Sequence, residues 1–327
     1  MEKQRSLSLI ITNLTVFLYL YLMKRFFFTC KALVFLVCFT GCYSEKILII
    51  TDIGLDVDDA LAIHMIFTHE PSSVLAIACT GSHQPAGMVN ELKCQYRSHP
   101  GYSSIKRIPV GSGSAFIDSI LFSGKRKHTV LLIAPAGDLA EAIKFHPDME
   151  KRIKKIYFQG QILADSLPGK LCPNIAAYNV SENPAAARTV FSLQKRIPFV
   201  IVGKYAAYPL AVSRKDFEQN DSSEVPGWKY LHKAAVESMA RFAREREDVF
   251  RRVYNIPDKQ SAKQALDSLP VLSNPYDAVT LLTLICPQYF NPVISGKHRI
   301  IGNAPADSNI ENAEALHNKI RTSGLSF

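Results

Sequence analysis

The 327-residue chain contains no tandem repeat at solenoid period and no low-complexity tract, so a repeat architecture and a compositionally biased, non-folding segment are both excluded. Cysteine and histidine are present but not grouped. Cys30, Cys38, Cys42, Cys79, Cys94, Cys172 and Cys286 show no paired metal spacing, and the nine histidines form no metal-spaced cluster. A Cys- or His-ligated metal centre of the usual kind is therefore not indicated. Charge of one sign is also scarce. The net charge is +9, and Lys3, Arg5, Lys24, Arg25 and Lys31 against Glu2 place +4 of it in residues 1–43. The small excess that remains is scattered, which gives solubility rather than a nucleic-acid-binding face. A helix over Trp228–Tyr254 gathers several arginines but interleaves Glu237, Glu245, Glu247 and Asp248, the pattern of a salt-bridged surface helix.

What the chain does have is 47% hydrophobic residues, enough for one large α/β domain. The N-terminus carries two apolar runs, Leu7 to Met23 and Phe26 to Cys42, split by Lys24-Arg25. The second has a basic start, an apolar centre and Thr40-Gly41-Cys42 at its end. This resembles a bacterial lipoprotein signal with Cys42 as the acylated residue, and Met23 is then an alternative start. An uncleaved membrane anchor or a helical hairpin is the competing reading. Residues 1–42 are accordingly set apart as a targeting segment and residues 43–327 as the folded domain. The expected location is the envelope of a bacterium, exported and held at the membrane by this segment.

The chain turns on Lys46 to His69, KILIITDIGLDVDDALAIHMIFTH. Ile47 to Ile50 is a continuous apolar run suited to a strand buried on both faces. Asp52, Asp56, Asp58 and Asp59 follow, and Ala60 to Phe67 resumes an apolar, helix-compatible pattern. Gly54 permits a tight turn between the two. Four carboxylates at the carboxyl end of a buried strand repel one another unless a cation or donors offset them, and hard oxygen ligands suit Ca²⁺ or Mg²⁺.

Further strands are predicted at Val74–Thr80, Ile108–Val110, Thr129–Ala134, Ile153–Phe158 and Phe199–Val202. Helices are predicted at Ala86–Ser98, Leu139–His146, with Asp138 as its cap, Pro184–Leu193, Ala278–Ile285 and Asn309–Arg321. Gly111 to Ser114 reads as a small-residue loop, 214–227 as a polar stretch and Val293–Ile301 as an edge hairpin. The repeated strand–helix order implies an α/β fold with a mostly parallel open sheet and helices on both faces.

The acidic turn, Asp52-Ile53-Gly54-Leu55-Asp56-Val57-Asp58-Asp59-Ala60, resembles that of the inosine–uridine-preferring nucleoside hydrolase family, in a branch with two extra residues. Leu131 to Ala142, Ala177-Tyr178-Asn179 with Asn183-Pro184 after it, and Pro275-Tyr276-Asp277-Ala278-Val279 resemble further segments of that family in order and spacing. The resemblance implies a Ca²⁺ ion held by Asp52, Asp59, Asp277 and the Gly137 carbonyl, with Asp58 and Asn179 on the ribose hydroxyls and Ser82 near the sugar; His83 is a candidate substrate-binding residue from its place at the carboxyl end of a predicted strand. It implies hydrolysis of a ribonucleoside, with Asp52 taking a proton from water and Tyr276, where many relatives have His, facing the leaving base. It also implies a homo-oligomer by analogy. Ile50 stands where the family has its first Asp, and Ala177 and Tyr178 stand near its sugar-side Glu. Tyr205 and Tyr208 either line the base pocket or simply pack. Two other readings compete. One is a non-catalytic nucleoside- or sugar-binding lipoprotein that keeps the metal. The other, a phosphatase with an Asp nucleophile, wants a second acid where Gly54 sits.

Overall fold

A computed structural model describes residues 46–54, 56–81, 85–166, 169–221, 224–245, 247–253, 256–257, 264–266, 269–305 and 308–322. The segment read as a targeting signal, with Cys42, lies outside these residues, as do Ser82 and His83.

In chain order the elements are β1 (Ile47–Thr51), α1 (Asp58–His69), β2 (Val74–Cys79), α2 (Pro85–Gln95), α3 (Tyr102–Arg107) and β3 (Val110–Ser112). Next come α4 (Ser114–Phe122), β4 (His128–Ile133), α5 (Gly137–Phe145), β5 (Ile153–Gln159), α6 (Tyr178–Ser181), α7 (Pro184–Phe191) and β6 (Phe199–Val202). The last part holds β7 (Val212–Ser213), α8 (Arg214–Asn220), α9 (Trp228–Glu245), α10 (Glu247–Val253), β8 (Val271–Ser273), α11 (Tyr276–Ile285), β9 (Val293–Ser295), β10 (His298–Ile301) and α12 (Ala313–Thr322).

The main sheet has eight strands in the order β3-β2-β1-β4-β5-β6-β10-β9. All pairs are parallel except the terminal β10–β9 pair. The chain winds outward from β1 to β2 and β3, then returns to β4 on the other side of β1. That reversal opens a crevice at the carboxyl ends of β1 and β4, the place where such sheets bind ligands.

β1 is central because its sequence allows nothing else. All five of its residues are buried. Ile47 and Ile49 enter the core on one face of the sheet, and Leu48 and Ile50 enter the core on the other. The alternation follows from the two-residue period of a strand, and apolar residues at every position require cover on both faces. α1 and α11 pack against each other within the first of these cores. Ile50 is fully packed in the second.

The expected fold class holds, and several details differ. Ser114 opens α4 rather than closing a loop, because Ile117 and Leu121 repeat at helical spacing and bury. Asp138 lies in the first turn of α5, whose N-cap is Ala136 with no side-chain cap. The stretch 214–227 holds α8, started by a capping box in which Ser213 and Asp216 satisfy each other's backbone. The arginine-rich helix buries Trp228, Leu231, Ala235 and Met239 on one side, with a Lys233–Glu237 pair outside. No helix among the described residues is long and apolar enough to cross a membrane.

Candidate active site

At the end of β1 the chain leaves the sheet through Asp52 and turns at Gly54, whose φ of 119° is the left-handed backbone that glycine tolerates. Arg241 of α9 fixes this turn, donating from Nη1 to the Gly54 carbonyl at 2.6 Å. Thr51 supplies a second tie. Its hydroxyl donates to Asp59 Oδ1 and accepts the Ile53 N–H at 3.2 Å. The Asp59 N–H donates to Asp58 Oδ1 at 3.1 Å. Asp58 and Asp59 thus form the first turn of α1, where the unpaired N–H groups and the helix dipole favour negative charge.

α11 brings the remaining carboxylate from far along the chain. Asp277 lies in its first turn, and its backbone N–H donates to Asp58. Two helix N-termini therefore meet at the carboxyl end of β1. Carboxylate oxygens of Asp58, Asp59 and Asp277 lie within 4.8 Å of one another, and all three residues are buried. Asp52, also buried, stands beside this triad, and its charge acts on each of the three. None of the four forms an ion pair with a lysine, arginine or histidine among the described residues.

The consequence is electrostatic. Burial is the main reason that the carboxyls of Asp58, Asp59 and Asp277 are held well above the ordinary carboxylate range, and mutual repulsion adds to it. Asp52 is pushed up to about 7, first by burial and then by the charges of Glu182 and Asp56, against the opposing effect of a backbone hydrogen bond. Buried like charges without a cationic side chain are costly. The donors present fit a hard divalent cation. They are oxygen-only and anionic, and their mutual distance is inside the span that two ligands of one Ca²⁺ ion cover, about twice 2.3–2.6 Å.

The neighbouring strand ends build the walls. Gly81, φ 95°, follows β2, and a Cβ there would lie 4.0 Å from Asp52 Cβ. Gly137 opens α5 after β4, and a Cβ there would lie 4.0 Å from Asn183 Nδ2. Asn179, buried in α6, donates from Nδ2 to Gln159 Oε1 at 2.8 Å at the end of β5. Tyr276 precedes Asp277. Its phenol is pushed far above its ordinary range by burial first, then by Tyr208 and by the charges of Asp58 and Asp56. It stays protonated and is hydrogen-bonded to the Tyr208 side chain.

The structure therefore brings Asp52, Asp58, Asp59, Tyr276 and Asp277 together and sets Asn179 and Gly137 on adjoining strand ends. The tightest triad includes Asp58 rather than Asp52. Sequence reasoning missed Thr51, Gln159, Glu182 and Arg241. Thr51 and Gln159, each directly after a predicted strand, carried a positional signal, whereas Glu182 and Arg241 carried none.

No family model matches this sequence, and no curated protein matches it. Solved structures do share the fold. The effector protein XOO4466 superimposes with a TM-score of 0.67 at 17% identity, covering 86% of this chain and 93% of that one. The type III effector protein XopQ, solved with adenosine diphosphate ribose, gives 0.64 at 17% over 86% and 93%. A plant nucleoside hydrolase gives 0.56 at 15% over 86% and 98%. The chain thus has a nucleoside hydrolase-like α/β fold, with helices around a mostly parallel eight-stranded sheet.

Proposed function

We propose that this chain hydrolyses the N-glycosidic bond of a ribonucleoside, releasing free base and ribose, with Ca²⁺ as its resident ion. The observation that carries this reading is the convergence of three buried carboxylates from α1 and α11 within 4.8 Å, at the switch point of a fold shared with a plant nucleoside hydrolase. Asp59, Asp277, Asp52 and the Gly137 carbonyl would hold the ion, with Asp58 in the same cluster. When bound, such a cation lowers the pKa of a coordinated water and chelates the 2′- and 3′-hydroxyls of a ribose.

The chain's own residues do the rest. Asp52, at the end of β1 beside the cluster, would take a proton from the attacking water. As the C1′–N bond breaks, its electron pair leaves with the base, which takes up a proton from solvent; positive charge grows on the sugar until the water oxygen bonds C1′. The surrounding carboxylates stabilise that charge. Asp58 and Asn179 hydrogen-bond sugar hydroxyls, and Tyr276 donates a hydrogen bond to the departing base. We read residues 1–42 as an export segment acylated at Cys42. Palmitate labelling lost in Cys42→Ser supports that reading, and labelling retained refutes it.

Pure protein incubated with a panel of ribonucleosides should release free base, lose that activity in chelator, regain it with calcium, and lose it in Asp52→Asn. No release from any member refutes the assignment. Calorimetric binding of a ribonucleoside without release instead supports a non-catalytic binder, a reading that Ile50, packed in the apolar core, and Ala177 favour.

A further inference from the structure

The basic residues are spread along the sequence, but the topology gathers many of them. A parallel sheet brings the segments that precede its strands to one edge, opposite the edge that holds the acid cluster. β1, β4, β5, β6 and β10 are neighbours in the sheet. Lys46 precedes β1, Lys125-Arg126-Lys127 precede β4, Lys151-Arg152 precede β5, Lys195-Arg196 precede β6 and Lys297 precedes β10. At about 4.8 Å per strand this run is about 20 Å wide. Its segments touch one another. Lys297 Nζ donates to the Lys195 carbonyl at 2.7 Å, and Arg196 pairs with Glu150, just before β5. The acids in these segments are Glu150 and Asp148, the latter paired with Lys151 at 2.9 Å. Lys125, Lys127 and Lys195 are exposed and pair with no carboxylate among the described residues. Helix C-termini favour cations only within their last turn. Lys125 to Lys127 lie beyond the end of α4 at Phe122, and Lys297 follows a strand, so helix dipoles do not account for the patch.

An apolar side chain stands on the same edge. Phe145 ends α5 and, at 70%, is the most exposed large apolar side chain among the described residues. Its neighbour His146 lies against Phe122, with ring centroids 5.0 Å apart, and pairs with Asp118 at 3.2 Å. The Arg152 guanidinium lies 5.1 Å from the Phe122 ring centroid. A protruding aromatic ring bordered by cations matches a bilayer interface, where the ring enters the headgroup layer and the cations meet phosphates. A nucleic-acid duplex would meet the cations and leave Phe145 in water. Residues 1–42, read as a membrane-held segment, also join the domain through Lys46, on this edge.

We propose that the amino edge of the sheet docks on an anionic phospholipid surface, with Phe145 among the headgroups, so that the acid cluster at the other end of the strands opens away from the bilayer. The inference is independent of what the acid cluster binds. Each lysine close to an anionic surface strengthens such docking by about fivefold.

The test reconstitutes the full chain into vesicles of phosphatidylcholine alone, or of phosphatidylcholine and phosphatidylglycerol in equal parts. Both contain a brominated phosphatidylcholine that quenches tryptophan on contact. Phe145→Trp supplies the probe, and the unsubstituted chain, whose single tryptophan Trp228 is 1% exposed, supplies the background. Quenching of the introduced ring should appear in the anionic vesicles, be absent from the neutral ones, and fade at about 1 M salt, where the Debye length is about 3 Å. Adding Lys125→Ser, Lys127→Ser and Lys195→Ser to Phe145→Trp should weaken docking by about a hundredfold and bring quenching down to the neutral-vesicle level. The lipid and salt comparisons carry the decision should that variant fail to fold. Equal quenching in both vesicles, or in neither, overturns the proposal, and so does quenching that salt leaves unaltered. A duplex oligonucleotide that changes the emission of the introduced ring while anionic vesicles do not quench it also overturns the proposal, and assigns the edge to nucleic acid.

Discussion

Replacing Asp52 with asparagine in metal-free protein should change how stability depends on pH, by an amount the site fixes. The Asp52 carboxyl titrates near 7 in the fold against a reference of 3.8, mainly through burial. A raised folded pKa means that the native state keeps a proton the unfolded chain has already released. Its stabilisation is complete below pH 3.8 and is lost as pH rises through about 7. At about 1.4 kcal/mol per pKa unit, this one group withdraws about 2 kcal/mol between pH 5 and pH 7. His64 works in the opposite direction. Buried in α1, it is lowered from 6.5 to about 3, so its stabilisation is complete above pH 6.5 and is lost as pH falls toward 3. Over the same interval it adds about 2 kcal/mol as pH rises. The two trends oppose each other, and Asp58, Asp59 and Asp277, also raised by burial, act in the same direction as Asp52, so a profile of the wild type by itself does not isolate Asp52.

The informative quantity is the difference between Asp52→Asn and wild type, because His64 contributes equally to both. Urea unfolding in chelator at pH 5, 6 and 7 should show the variant gaining at least about 2 kcal/mol relative to wild type across that range. The gain grows further because the charges of Asp58, Asp59 and Asp277 no longer face Asp52. Saturating calcium should flatten the difference, since a bound cation favours the charged carboxylates at every pH in the range. A difference that stays constant with pH, or shrinks from pH 5 to 7, refutes the claim that Asp52 sits uncompensated in a buried acidic cluster.

Two other perturbations probe the same cluster. Asp277→Asn should abolish the rise in Tm that calcium gives the wild type, a rise that corresponds to about 2.7 kcal/mol at one hundred times Kd; differential scanning calorimetry with titrated calcium checks this, and an undiminished shift refutes a ligand role for Asp277. Thr51→Val, nearly isosteric, removes the hydroxyl that donates to Asp59 and should cost about 1–3 kcal/mol of stability; urea unfolding of the two proteins checks this, and an unchanged midpoint refutes the contribution of that bond.

Much of the fold was legible because its signals are local. Ile47 to Ile50, apolar at every position, announced a strand with cover on both faces, and both cores now enclose it. The repetition of such runs with helices between them was enough for a parallel sheet. The misreadings came where local signals conflict. Ser114–Phe122 follows a Gly/Ser stretch that reads as loop, yet Ile117 and Leu121 bury at helical spacing. Asp138 looks like a cap but lies two positions past the N-cap, Ala136, because Gly137 is already helical.

The site was legible only in halves. A strand-end run of acids shows that charge must be offset there, but not by what. Nothing in the spacing of Asp58 and Asp59 points to Asp277; that pairing came from family resemblance and is realised by the packing of α11 on α1. Glu182 illustrates the residue that no pattern reveals. It lies on the surface after α6, and its effect on Asp52 exists only because α6 closes over the end of β5. The same logic explains why the cluster is gathered at helix N-termini. Four buried carboxylates oppose folding unless backbone donors from α1 and α11 and a cation offset them, so the arrangement that weakens the metal-free fold is also the one that would favour an incoming divalent ion.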